Sequence, residues 1–261
     1  MRKVKDIVNI IEEFAPLYLK EDFDNVGLMV GDKEGSVKKV LLALDCTLKV
    51  IEEAKAKEID LIITHHPLIF RKPSNITTDT LQGKKIIELI KNDIYLYSSH
   101  TNLDSVCEGI NETITKMLGF NNFKILEGNK KDSTAGIGRV AKLEKEISLE
   151  ELVALVKEKL NVQNLRVVKG EEKIIKVAII NGSGQDYISR AINKGANCII
   201  TGDTTYHFAS DYKEMGISII DVGHFASEWI VFLKTMKNIK NKLQDIEFIE
   251  SEAVEDPYDF Y

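Results

Sequence analysis

The chain repeats part of itself, and the repeat restricts its fold more than any other feature. Residues 39–64, "KVLLALDCTLKVIEEAKAKEIDLIIT", align without a gap to residues 176–201, "KVAIINGSGQDYISRAINKGANCIIT", at an offset of 137. Eight of the 26 positions are identical, among them Lys39/Lys176, Val40/Val177, Ala54/Ala191 and the closing Ile-Ile-Thr. The runs "VLLAL" and "LIIT" are short, continuous and β-branched, as expected of strands covered on both faces of a parallel sheet. Between them Val50, Ile51, Ala54 and Ile59 are apolar, with Lys and Glu filling the gaps, which suits a crossover helix. Each copy therefore reads as a βαβ unit.

The similarity extends outward. A helical pattern "VKDIVNIIEEF" and a short strand "GLMV" precede the first copy, as "LEELVALVKEKL" and "NLRVV" precede the second. After each copy comes a further strand, "IYLYSS" or "ISIID", and then a histidine. The expected fold is α/β, with two similar halves related by internal duplication. The halves are residues 1–124 and 134–261, joined by a connector at 125–133 where "EGNKKDS" has turn chemistry.

Composition narrows the functional classes. With 35 basic and 41 acidic residues the net charge is -6, and there is no basic tract suited to a nucleic-acid groove. No apolar run approaches the roughly 20 residues of a membrane span. Cys46, Cys107 and Cys198 are odd in number, widely spaced and without a C-x-x-C pair, which points to reduced thiols in a cytoplasmic chain and away from thiolate zinc sites.

The five histidines are His65, His66, His100, His207 and His224. His100 opens "HTNLD" and His224 opens "HFASE", so each half presents a histidine followed four residues later by an acid, Asp104 or Glu228. The offset is now 124, because the first half carries 13 more residues between Thr64 and His100. That insertion holds "THHPLIFRKPSN" and the adjacent pair His65 and His66. Ligands of open α/β sheets gather beyond the carboxyl ends of the strands, where all six of these residues are expected. If 100–104 and 224–228 enter helices, residues i and i+4 project from one face.

Neighbouring residues on extended backbone point apart, so His65 and His66 suit one ion each of a pair. Carboxylates bridge two cations as imidazoles cannot, which makes Asp104 and Glu228 the natural bridges in a dinuclear site on the carboxyl rim between the halves. A single histidine at a strand end is more often structural; the matched set is the stronger observation. Asp24 and Asn25 read as turn residues before "GLMVG", Asp45 as at best half of a site because its repeat partner is Gly182, and residues 181–186, "NGSGQD", as a tight turn.

The motifs "THHPLIF", "SSHTNLD", "TGDTTYH" and "GHFASE", with "DNVGLMVG" near the start, resemble the NIF-three-like dinuclear metal centre family, whose members carry the name GTP cyclohydrolase 1 type 2 homologue. The resemblance covers essentially the whole chain. It implies metal ligands at His65, His66, Asp104, His224 and Glu228, with His100 beside the centre as a proton carrier. His207, in the same motif as Asp203, is a second candidate proton carrier. Asp203 stands where the family usually has Glu, which puts a close contact by this shorter acid in question. The resemblance also implies a homohexamer, a trimer of dimers.

The nitrogen and oxygen ligand set suits two divalent ions per subunit, Zn, Fe, Mn or Ni. The expected function is metal-dependent hydrolysis of a small molecule, with opening of the GTP purine ring by a metal-bound hydroxide as the reaction the resemblance implies. A metal-dependent phosphoesterase and a non-enzymatic metal-binding assembly use the same ligands and stay open.

Overall fold

A computed structural model describes residues 1–170 and 172–260. The chain forms two compact units. Among the described residues, one comprises 1–103 and 232–257; the other comprises 104–170, 172–231 and 258–260.

The first unit is built on a five-stranded sheet in the order Glu247–Glu250, Lys39–Ala43, Leu61–Thr64, Tyr95–Ser98, Gly27–Val30. The first four are parallel and Gly27–Val30 closes the edge antiparallel. The crossover helix Leu48–Ala56 starts where the Thr47 side chain accepts a hydrogen bond from Val50 N–H. Its face of Val50, Ile51 and Ala54 packs on Leu41, Ala43 and Ile62 in one buried cluster. Fully burying each large aliphatic of that cluster stabilises the fold by about 1.5–3 kcal/mol.

The second unit holds a six-stranded sheet in the order Phe123–Gly128, Gly136–Ser148, Lys173–Ser183, Cys198–Gly202, Ser218–Asp221, Arg166–Val168. Its three central strands from Lys173 to Asp221 are parallel, and Arg166–Val168 is again the antiparallel edge. The helix Leu149–Leu160 opens with a capping box in which Ser148 and Glu151 satisfy each other's backbone N–H groups.

The repeat is visible as pairing register. Val40, Leu41 and Leu42 lie opposite Leu61, Ile62 and Ile63, and at the same offset Val177, Ala178 and Ile179 lie opposite Cys198, Ile199 and Ile200. Local bonds repeat too. Lys39 Nζ donates to Lys57 O at 3.1 Å and Lys176 Nζ to Lys194 O at 2.7 Å. Asp60 Oδ2 accepts from the N–H groups of Lys38 and Lys39, as Asn197 Oδ1 accepts from those of Ile175 and Lys176.

Beyond the repeat the expected offset of 124 is corrected to 123. Ile62 faces Leu96 where Ile199 faces Ile219, and Ser99 N–H donates to Thr64 O where Val222 N–H donates to Thr201 O. The following helices begin at Thr101 and His224. By register, therefore, His224 corresponds to Thr101 and Glu228 to Ser105. One step along a helix turns a side chain by about 100°, so the two His-x-x-x-acid motifs are not equivalent in direction.

The expected domain boundary also changes. Residues 125–133 are no connector: they run from the strand Phe123–Gly128 into the turn before Gly136–Ser148, a hairpin paired within one sheet. The chain passes from one unit to the other inside the helix Thr101–Ser105 and back inside His224–Thr235. Amphipathic helices carry no sequence break that marks such a crossing.

Candidate metal centre

In the first unit His65 and His66 follow the last residue of the strand Leu61–Thr64, and His100 lies two residues beyond Tyr95–Ser98. The backbone bends at His65 and His66, so the divergence expected of extended neighbours does not hold there. Their ring centroids are 5.2 Å apart, and one ligand atom from each of His65, His66 and His100 lies within 4.8 Å of the others. His65 is wholly buried, with its ring against Phe232.

Each of these rings is held by its Nδ1. That of His65 donates to Ser99 O at 2.9 Å, that of His66 to Asp45 Oδ1 at 2.9 Å, and that of His100 to Asp24 Oδ1 at 3.0 Å. A carbonyl or carboxylate can only accept, so each neutral imidazole carries its proton on Nδ1 and its lone pair on Nε2. Orientation of a ligating histidine through its other nitrogen is the usual construction of a metal site.

Asp24 does more than form a turn. It is 5% exposed, and Thr101 donates to it through both backbone N–H and hydroxyl. Burial pushes its pKa up, but the hydrogen bond and positive charge of His100 and the two donors of Thr101 outweigh this and hold it at about 2. The residue is an anion throughout the physiological range.

In the second unit His224 opens the helix His224–Thr235 and Glu228 lies one turn on. His224 Nδ1 donates to Asp203 Oδ2 at 2.7 Å, and its Nε2 is 3.0 Å from Glu228 Oε2. The shorter acid at 203 therefore does make its contact, from a left-handed backbone, φ 54°. Asp104 and Glu228 are buried, at 7% and 2% exposure, which demands compensation for two anions. Part of it comes from Asn181, whose Nδ2 donates to Asp104 Oδ1 and to Glu228 Oε1, each at 2.9 Å. Gly182 N–H donates to Ser227 Oγ at 3.0 Å, and at φ 57° a Cβ on Gly182 would collide with Glu228 Oε1.

These donors fit a divalent cation of the Zn, Fe, Mn or Ni kind: imidazole Nε2 atoms whose tautomer is fixed, and buried carboxylates, without sulfur. Burial pushes the Cys46 and Cys198 thiols up to about 12, so neither offers a thiolate near neutral pH.

Among the expected residues, His65, His66 and His100 are brought together in the first unit; in the second, Asp104 and Glu228 meet through Asn181, and His224 lies against Glu228. His207 belongs to neither group. It is exposed on the helix Tyr206–Glu214, edge-on to Tyr206, where it lines a cavity of about 340 Å³ with Ser189, Asn193 and Tyr212. Asn181, Asp24 and Asp45 are the positions undervalued in sequence. Asp45 is the partner of His66 even though its repeat equivalent is a glycine. For Asn181 no local signal exists, because its two carboxylate partners are 77 and 47 residues away.

No helix among the described residues is long and apolar enough to cross a membrane. A GTP cyclohydrolase 1 type 2 homologue from Clostridium perfringens is 58% identical over 260 residues, covering 99% of both chains. One from Clostridium acetobutylicum is 53% identical, covering 99% of this chain and 98% of its own. Among solved structures, a Bacillus cereus protein related to NIF3 superposes with a TM-score of 0.92 at 25% identity, covering 100% of this chain and 99% of that one. The family model described as Duf34/NIF3 (NGG1p interacting factor 3) matches residues 2–257, a span that takes in every histidine and carboxylate described above. Motifs, fold and full-length similarity agree, and the chain belongs to the Duf34/NIF3 family.

Proposed function

We propose that His65, His66, Asp104, His224 and Glu228 hold two divalent metal ions, and that the protein is a metal-dependent hydrolase of a small molecule, with a purine nucleotide such as GTP as the candidate substrate. The observation that supports the metal reading is the shared construction of the histidines: His65, His66 and His224 each have Nδ1 fixed by an oxygen acceptor, which suits Nε2 to ligation; His100 shares the construction, and its role beside the centre comes from the family resemblance. The nucleotide enters from the name of the relatives, GTP cyclohydrolase 1 type 2 homologue.

When bound, the ions supply Lewis acidity and an activated water for attack on an electrophilic carbon. The chain's own residues do the rest. Asp104 and Glu228, with two oxygens each, would be the residues able to serve both ions. His100 takes and returns a proton at Nε2, while Asp24 holds Nδ1–H and stabilises the imidazolium that forms, the division of labour of a histidine backed by a buried aspartate. The proposed assembly is a homohexamer, which light scattering tests.

The test is metal analysis of protein purified without added metal, followed by a turnover screen of that preparation against nucleotides including GTP. The reading expects close to two ions per chain and release of a ring-opened product. Two ions without turnover on any nucleotide would leave a metal-binding protein and remove the nucleotide hydrolase. Fewer than one ion after incubation with Zn, Fe, Mn and Ni in turn would remove the centre itself.

A further inference from the structure

We propose that Asn181 is a positioning residue that sets the two carboxylates, Asp104 and Glu228, in place before any metal arrives. The inference rests on the dinuclear reading above and adds to it a residue outside the ligand set.

The geometry points to this role in three ways. First, a primary amide has two N–H bonds on one nitrogen, and here that nitrogen lies 2.9 Å from an oxygen of each acid. Both acids are buried, and like charges drawn to one point repel strongly where water is excluded. Two donors aimed at two anions offset that repulsion; the opposite amide orientation would set a carbonyl oxygen against both, so the network fixes which way the amide faces.

Second, Asn181 is itself held. Its backbone N–H donates to Asn111 Oδ1 at 3.1 Å, and Asn111 Nδ2 donates to the carbonyl oxygen of Asp104 at 3.2 Å. The residue that steadies the Asp104 side chain is thus tied to the residue that steadies its backbone. Third, the next position is a glycine at φ 57° whose missing Cβ makes room for Glu228 Oε1. The amide engages Oε1 of Glu228, and Oε2 is the oxygen that faces His224 Nε2 at 3.0 Å. One oxygen of each acid is thereby engaged by the amide, and the rotation of each carboxylate is set.

A positioned ligand pair binds metal more tightly than a mobile one, and loss of such an outer partner costs 10- to 100-fold in affinity. The experiment uses Asn181→Leu, which keeps the branched shape and removes both donors. Metal affinity is measured by chelator competition, the visible ligand-field spectrum is recorded on cobalt(II)-loaded protein, and the melting temperature is taken on metal-free protein. The expected result is a 10- to 100-fold weaker affinity with an altered cobalt spectrum. Affinity and spectrum equal to wild type overturn the proposal. A loss of affinity accompanied by an unchanged spectrum also overturns it, because the carboxylates would then be correctly placed without the amide.

Should Asn181→Leu fail to fold, Asn181→Ala carries the same measurements and the same two outcomes. The wild-type control separates this inference from the reading beneath it. If wild type takes up no metal, the dinuclear reading fails and Asn181 has nothing to position. If wild type holds two ions and the Asn181 variants hold them as tightly, only the present inference fails.

Discussion

Asp24 Oδ1 accepts a hydrogen bond from His100 Nδ1 at 3.0 Å, joining a residue before the first edge strand to one after the third parallel strand of the same unit. The contact fixes the imidazole tautomer and places a buried anion behind it. In Asp24→Asn the amide can present its oxygen to His100 or its nitrogen, but it carries no charge to stabilise an imidazolium. We expect any hydrolytic turnover to fall by 10²- to 10⁴-fold, the usual worth of a positioned acid-base group, with metal content unchanged. Metal loss in this variant would place His100 among the ligands.

The same carboxyl sets a pH dependence. Its pKa is depressed from 3.8 to about 2 on folding, so its stabilisation is complete above about pH 4 and is lost as pH falls through 2. The size is on the order of 2 kcal/mol. Acid denaturation of wild type and Asp24→Asn compared between pH 5 and 2 checks this. The gap in stability between them should shrink across that interval, and a constant gap contradicts the assignment.

The proposed bridging acids predict a stoichiometric pattern. A carboxylate shared by two ions serves both, whereas a histidine serves one. Asp104→Ala and Glu228→Ala should each deplete both ions, and His65→Ala and His66→Ala should each weaken one ion preferentially. Metal-to-protein ratios on the four variants decide it. Full occupancy in either acid variant rules out bridging by that acid.

His207 offers the contrast. Exposed, beside Tyr206 and outside both groups, it should be dispensable for metal: His207→Ala is expected to keep full metal content, with stability within about 0.5 kcal/mol of wild type. Elemental analysis and urea unfolding of this variant check the prediction, and a loss of metal would place His207 at the centre.

What the sequence revealed and what it hid divide along a physical line. The βαβ copies are legible because period and β-branching are local, and the candidate ligands stand out because His-His and His-x-x-x-acid are short patterns. The groups that orient them do not. Asp24 meets His100 across 76 residues, and Asn181 meets Asp104 across 77. Neither spacing has any signature in a single sequence. The strand Glu247–Glu250 is hidden for the same reason: "EFIE" has little strand character alone and is specified by pairing with Lys39–Ala43. The two histidines lie one residue out of register because residue type does not report the hydrogen-bonded position along a strand.

One identity of the aligned repeat, Lys39/Lys176, has the same hydrogen-bond partner in both copies. Lys39 and Lys176 occupy equivalent positions, and each ammonium donates to the residue just past the crossover helix of its own unit, Lys57 O or Lys194 O. Carbonyls at a helix C-terminus lack intrahelical donors and carry the negative end of the helix dipole, so a cation there is favourable. The two sites are not identical: the contact of Lys39 is partly buried and that of Lys176 exposed, and Lys39 also lies 3.6 Å from Glu58, a pair of small value. Replacing either lysine by Met keeps the aliphatic stem and removes the donor. Lys39→Met and Lys176→Met should each cost about 0.5–1 kcal/mol. The sites share no residue, so the double variant should cost close to the sum. Urea unfolding of the three variants measures this. A large cost at one site with none at the other would show that the shared lysines do not serve the same purpose, and that their identity in the aligned repeat is coincidence.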